Sequence, residues 1–149
     1  MDLKKALYNF CQQYSLDRVI RIEKRIIEVQ LALTSETKSS AGDKHETGRA
    51  MLQLEREKLG QQLAEAEQMK LVLAKVPLAS TTNVCSLGSL VYTEKETYYL
   101  AISAGEYRAK DSRVYCISAA TPIGQLLLGK KVEDTFMFRG KERQIKEIM

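Results

Sequence analysis

Apolar residues recur at alternating three- and four-residue steps through the first part of the chain, at Val19, Ile22, Ile26, Val29 and Leu33. That spacing is the seam of a coiled-coil helix and predicts a helix from roughly Leu3 to Thr34, with Arg21, Glu23, Lys24, Arg25 and Glu28 on its other faces. A second seam follows from roughly Glu46 to Lys75. Leu52, Leu59, Ala66 and Leu73 fall seven apart, supported by Leu63, Met69 and Val76. Two seams joined by one polar loop predict an antiparallel pair, and a helix of about 30 residues extends about 45 Å. Pairing between separate chains is the alternative.

The helical period stops at Pro77, and residues 77–83 read as a linker of turn-forming and polar residues. Beyond it, Ser89–Tyr92, Thr97–Ile102 and Val114–Ile117 are short β-branched and aromatic runs that predict strands. Thr121 and Pro122 open a short helix as cap and first residue, and Gly129 closes it. Thr135–Phe138 and Arg143–Ile148 then flank a turn containing Gly140, a hairpin pattern. The expected fold class is α+β: a coiled-coil hairpin over 1–76 with its tip near 35–48, the linker, and over 84–149 a small antiparallel sheet embracing one short helix.

Composition narrows the function classes. With 44% hydrophobic and 28% charged residues the chain is neither disordered nor a membrane-spanning protein, and no run approaches the roughly 18 apolar residues of a spanning helix. Its start, Met1-Asp2-Leu3-Lys4-Lys5, lacks the apolar core of a secretion signal, so a cytoplasmic location is expected. Cys11, Cys85 and Cys116 form no CxxC pair and read as small buried hydrophobes. A net charge of +4 falls short of a nucleic-acid-binding footprint. Lys130, Lys131, Arg139, Lys141, Arg143 and Lys146 crowd the tail, either as a positive docking face or as a solvated surface. There is no phosphate loop, nucleophile elbow or catalytic acid pair in the β region.

Thr121-Pro122-Ile123-Gly124-Gln125-Leu126-Leu127-Leu128-Gly129-Lys130-Lys131-Val132-Glu133-Asp134 resembles the S-P-x-G-x-A-L-x-G-K-x-x-G-D signature of the Gre family of bacterial transcript-cleavage factors. The order of parts is similar too, since that family joins an antiparallel coiled coil to an FKBP-like β domain. Its G-D-x-S-E-N tip loop has a counterpart in Gly42-Asp43-Lys44-His45-Glu46-Thr47, where Lys44, His45 and Thr47 depart from the pattern. The resemblance implies a soluble, monomeric accessory factor rather than an enzyme. Its partner would be RNA polymerase, with nascent RNA and DNA met only inside that complex. Thr121, Pro122, Gly124, Gly129, Lys130 and Lys131 would belong to the docking region. Asp43 and Glu46 would enter the secondary channel and help hold a Mg²⁺ shared with the polymerase, which then cleaves its own transcript.

Read from the residues alone, Asp43 and Glu46 also fit a capping box at the start of a helix. Three readings compete with cleavage stimulation: a channel-binding regulator without cleavage, a coiled-coil adaptor or oligomerisation protein, and a prolyl isomerase raised only by the FKBP-like fold.

Overall fold

The computed structural model describes residues 2–38, 43–79 and 82–149, without the side chains of 37, 38 and 43–45. Helix α1 spans Leu3–Lys38 and helix α2 spans Asp43–Ala74. Both overrun the seam residues at the tip, so the connection is shorter than the 35–48 expected. The chain divides into two compact units, Ser15–Lys70 and a second made of Met1–Tyr14 with Leu71–Met149.

In the first unit the two seams meet each other within one chain. Val19, Ile22, Val29, Leu59 and Ala66 form its buried core, with Ile26, Leu33, Leu52 and Leu63 packed against it. Arg18 reaches Glu65 at 3.7 Å, Arg25 reaches Glu55 at 2.8 Å, and Glu36 lies 3.9 Å from where a Cβ on Gly48 would sit. Partner numbers fall as α1 numbers rise, which is the antiparallel register. The Val19–Leu33 and Leu52–Leu73 seams are thus paired within one chain.

The second unit is a six-stranded sheet of order β3-β4-β2-β1-β6-β5, comprising β1 Leu90–Thr93, β2 Thr97–Ala101, β3 Gly105–Ala109, β4 Ser112–Ser118, β5 Thr135–Phe138 and β6 Lys141–Ile148. All neighbours are antiparallel except β2 and β4. Strand β3 has no counterpart in the sequence reading. It is an edge strand whose half-buried and exposed residues show no apolar alternation, and it is held by pairing with β4 and by the Glu106–Arg113 ion pair at 3.0 Å. The β5–β6 turn is the two-residue Arg139-Gly140, with φ of 53° and 77°, the left-handed geometry of a tight hairpin; β6 therefore begins two residues before the expected Arg143.

Successive residues of a strand point to opposite faces, and both faces of this sheet are covered. On one, Val91, Tyr98, Leu100, Phe136 and Ile145 pack with Ile123 and Leu127 of helix α3, Pro122–Leu127. On the other, Tyr99 and Cys116 are paired across β2 and β4 and meet the first turns of α1. Leu7 and Cys11 there have no exposed surface, the Cys11 thiol is hydrogen-bonded to Cys116, and Phe10 stacks edge-on against Tyr107 at 5.3 Å. The Cys116 thiol is pushed up by that hydrogen bond and by burial, so it stays neutral, while the same bond draws the Cys11 thiol down. Lys4 Nζ donates to the Met149 carbonyl at 3.2 Å. By packing, residues 1–14 and the end of α2 therefore go with the sheet, whereas the apolar period assigned all of 1–76 to the hairpin. All three cysteines are free and buried.

Candidate functional site

Two regions hold the residues singled out by sequence, and each sits in a different unit. At the hairpin turn, α2 begins at Asp43, so Asp43 and Glu46 belong to its first turn and share one flank by their three-residue spacing. Glu46 is exposed. The convergence of the two carboxylates, and the roles of Lys44 and His45, fall on side chains outside the described residues. Among those described, no cluster of three His, Cys, Asp or Glu residues is placed to hold a metal ion. Beside the turn lies an open groove of about 700 Å³ lined by Glu36, Gly48, Met51, Leu52, Leu54, Glu55 and Lys58.

The electrostatics of this turn follow from the helix itself. The first four backbone N–H groups of α2 have no intrahelical acceptor and carry roughly half a positive charge between them. That charge favours carboxylates at positions 43 and 46. It disfavours a cation there unless other ligands outweigh it. Carboxylate oxygens are the hard donors that Mg²⁺ takes, and one or two of them suffice when the rest of the shell comes from water or a partner. Asp43 and Glu46 fit the protein's share of such a site and no more than that share.

The α3 region is resolved atom by atom. Thr121 caps the helix, its Oγ1 accepting from the Gly124 N–H at 3.1 Å and donating to the Ser118 carbonyl at 2.7 Å. Pro122 follows at the position where a missing N–H costs nothing. Gly124 packs so closely on the end of β4 that a Cβ would stand 2.3 Å from the Ser118 oxygen. Gly129 takes φ of 82° and donates to the Cys85 carbonyl at 2.9 Å, while Lys130 accepts from the Cys85 N–H at 2.8 Å. Lys131 pairs with Val84 in an isolated bridge, and its N–H donates to Asp134 Oδ2 at 2.7 Å. Residues 121–134 thus build the turn from β4 through α3 to β5, in which the ends of α3 were legible in the sequence and the close approach at Gly124 was not.

The basic tail is not one continuous face. Arg143 is largely buried with its Nε 3.8 Å from Glu96, Arg139 lies over the Phe138 ring at 5.1 Å, and Lys146 donates to Gln144. Glu96 also accepts from the Tyr98 hydroxyl, whose pKa is pushed up to about 12, by burial first and then by that carboxylate.

The chain is similar to a solved structure of the transcription factor Gfh1. The match covers 90% of this chain and 88% of that one, at 21% sequence identity and a TM-score of 0.37. No family model matches the chain, and no curated protein matches it. Among the described residues no helix is long and apolar enough to cross a membrane.

Proposed function

We propose that this protein is a Gre-like transcription factor that inserts its helical hairpin into the secondary channel of RNA polymerase and stimulates the polymerase's own cleavage of backtracked transcripts. The observation that carries the reading is the combination of an acidic pair, Asp43 and Glu46, at the turn of an intramolecular hairpin with the signature segment 121–134 in the β unit. In the bound state Asp43 and Glu46 would each offer a carboxylate oxygen to a Mg²⁺ shared with the polymerase. The chemistry such an ion would supply is activation and positioning of water for phosphodiester hydrolysis. The chain supplies reach, orientation and negative charge at a helix end, and no complete active site. It acts as an accessory factor, on RNA and DNA already held by the polymerase.

A second reading rests on Lys44, which stands between the two acids in sequence. An ammonium group there competes with a metal for the same carboxylates, which favours a channel-binding regulator that docks without stimulating cleavage. Shortening of the transcript in a stalled, backtracked complex separates the two. Mg²⁺-dependent shortening that disappears in Asp43→Asn and Glu46→Gln, with polymerase binding retained, supports stimulation. Binding without shortening supports the regulator, and absence of binding removes both.

A further inference from the structure

Helix α1 carries a second apolar stripe that the hairpin does not cover. Leu16, Ile20, Ile27 and Leu31 are 50%, 53%, 61% and 65% exposed. At 100° per residue they fall within about 60° of arc and run for about 22 Å along the helix. The stripe lies about 130° round from the Val19–Leu33 seam that meets α2, so the hairpin's own packing leaves it bare. Four large aliphatic side chains in line, all half exposed or more, form a patch rather than the scattered apolar residues of an ordinary surface.

We infer that this stripe is a self-association surface on which a second copy of the chain docks in parallel. The flanking charges choose both occupant and direction. Glu23 and Lys24 flank the middle of the stripe on opposite sides, and neither is engaged in an ion pair among the described residues. Two stripes laid parallel bring each Glu23 against the second copy's Lys24, twice, about the two-fold axis. Antiparallel stripes instead oppose Glu23 to Glu23, Lys24 to Lys24 and Asp17 to Glu28. In the parallel arrangement Leu16, Ile20, Ile27 and Leu31 each meet their own counterpart at the same level.

The area bears on whether the pair is permanent or transient. Covering four half-exposed aliphatic side chains removes on the order of 100 Å² each, about 800 Å² over both copies. Specific interfaces begin near 1,000 Å², so with the flanking stems included the pair is a weak, concentration-dependent dimer. The inference stands apart from the polymerase reading and is tested without polymerase.

Sedimentation velocity of the full chain at rising concentration is expected to show a dimer fraction that grows with concentration. Ile20→Lys/Ile27→Lys, both at exposed positions, is expected to weaken it at least tenfold while leaving the helical circular dichroism and melting unchanged. Lys24→Glu is expected to weaken it too, and Glu23→Lys/Lys24→Glu to restore it. Direction is read from Leu31→Cys, which under mild oxidation by diamide forms a disulfide-linked dimer only if the stripes are parallel. The wild-type cysteines are buried and serve as the control. A monomer at every concentration overturns the inference, as does a dimer indifferent to Ile20→Lys/Ile27→Lys or a Leu31→Cys chain that does not cross-link. A stripe needed only for capture by another protein is also an overturning result.

Discussion

Replacing Gly124 by alanine sets two effects of opposite sign against each other. Inside a helix, alanine is favoured over glycine by about 1 kcal/mol, so propensity alone predicts stabilisation. The packing predicts the reverse. The added Cβ would stand 2.3 Å from the Ser118 oxygen, 2.9 Å from the Ala119 Cα and 3.0 Å from the Ala119 carbonyl carbon, all backbone atoms with no side-chain rotamer to move. The Ser118 oxygen is itself held by the Thr121 N–H at 3.1 Å and the Thr121 hydroxyl at 2.7 Å. Relief therefore requires α3 to withdraw by about 1 Å to reach ordinary contact distance, which lifts Ile123 and Leu127 off Val91 and Leu100.

Overpacking of this kind costs about 3 kcal/mol at the upper end of its range, and subtracting the propensity gain leaves a net loss of about 2 kcal/mol. For a domain of this size that lowers the melting temperature of the sheet unit by roughly 8–16 °C. Differential scanning calorimetry on the full chain reads it. Gly129→Ala is the control, because φ of 82° strains the backbone there while nothing lies within 4 Å of the new methyl group; its cost is about 1 kcal/mol. A Gly124→Ala chain that melts at or above the wild-type temperature refutes the argument, since it shows that the β4–α3 turn yields at no cost.

Two further predictions probe the units separately. Ala66 is almost fully buried at a seam position of the hairpin, so Ala66→Leu forces extra atoms between α1 and α2 and is expected to cost about 1–3 kcal/mol in urea unfolding followed by helical circular dichroism; a gain would mean the seam holds a void. In the sheet unit, burial and then the Asp134 carboxylate push the Cys85 thiol up to about 11 from an ordinary 9.0. The folded form thus keeps a proton that the unfolded form loses, so this stabilisation is complete below about pH 9 and disappears as pH rises to about 11, by at most about 3 kcal/mol. Melting temperature against pH checks it: Cys85→Ala is expected to flatten that fall, and an unchanged slope would rule the thiol out.

Much of the fold was legible because its signals are periodic. Seven-residue spacing announced both long helices and their partnership, and Thr121, Pro122 and Gly129 marked both ends of α3. What escaped was structure held by something other than an apolar pattern. Strand β3 is an edge strand fixed by hydrogen bonds and the Glu106–Arg113 pair. The second cover of the sheet had a signal that was read only in part: Tyr98, Tyr99, Leu100, Ala101 and Ile102 are an unbroken apolar run, the mark of a strand buried on both faces. One short helix covers one face, so a second element was required, and the start of α1 supplies it. The acidic pair was legible as residue types, and among the described residues no group of three His, Cys, Asp or Glu gathers to hold a metal ion.

The six residues assigned to docking divide on the same physical grounds. Thr121, Pro122, Gly124 and Gly129 are committed to capping, helix entry, close approach and a left-handed turn, so changing any of them acts first on stability. Lys130 and Lys131 contribute to that turn through their backbones, at Cys85 and at Val84 and Asp134, which leaves their side chains for an external partner. Under the polymerase reading, Lys130→Glu/Lys131→Glu is therefore expected to weaken polymerase binding at least tenfold, more so at low salt, with the melting temperature within a few degrees of wild type. Thr121→Ala, which costs about 1 kcal/mol as a lost cap, is expected to lower melting with little change in binding wherever the unit stays folded. If binding instead follows melting through both variants, the lysines have no separate docking role and the segment's work is wholly internal to the fold.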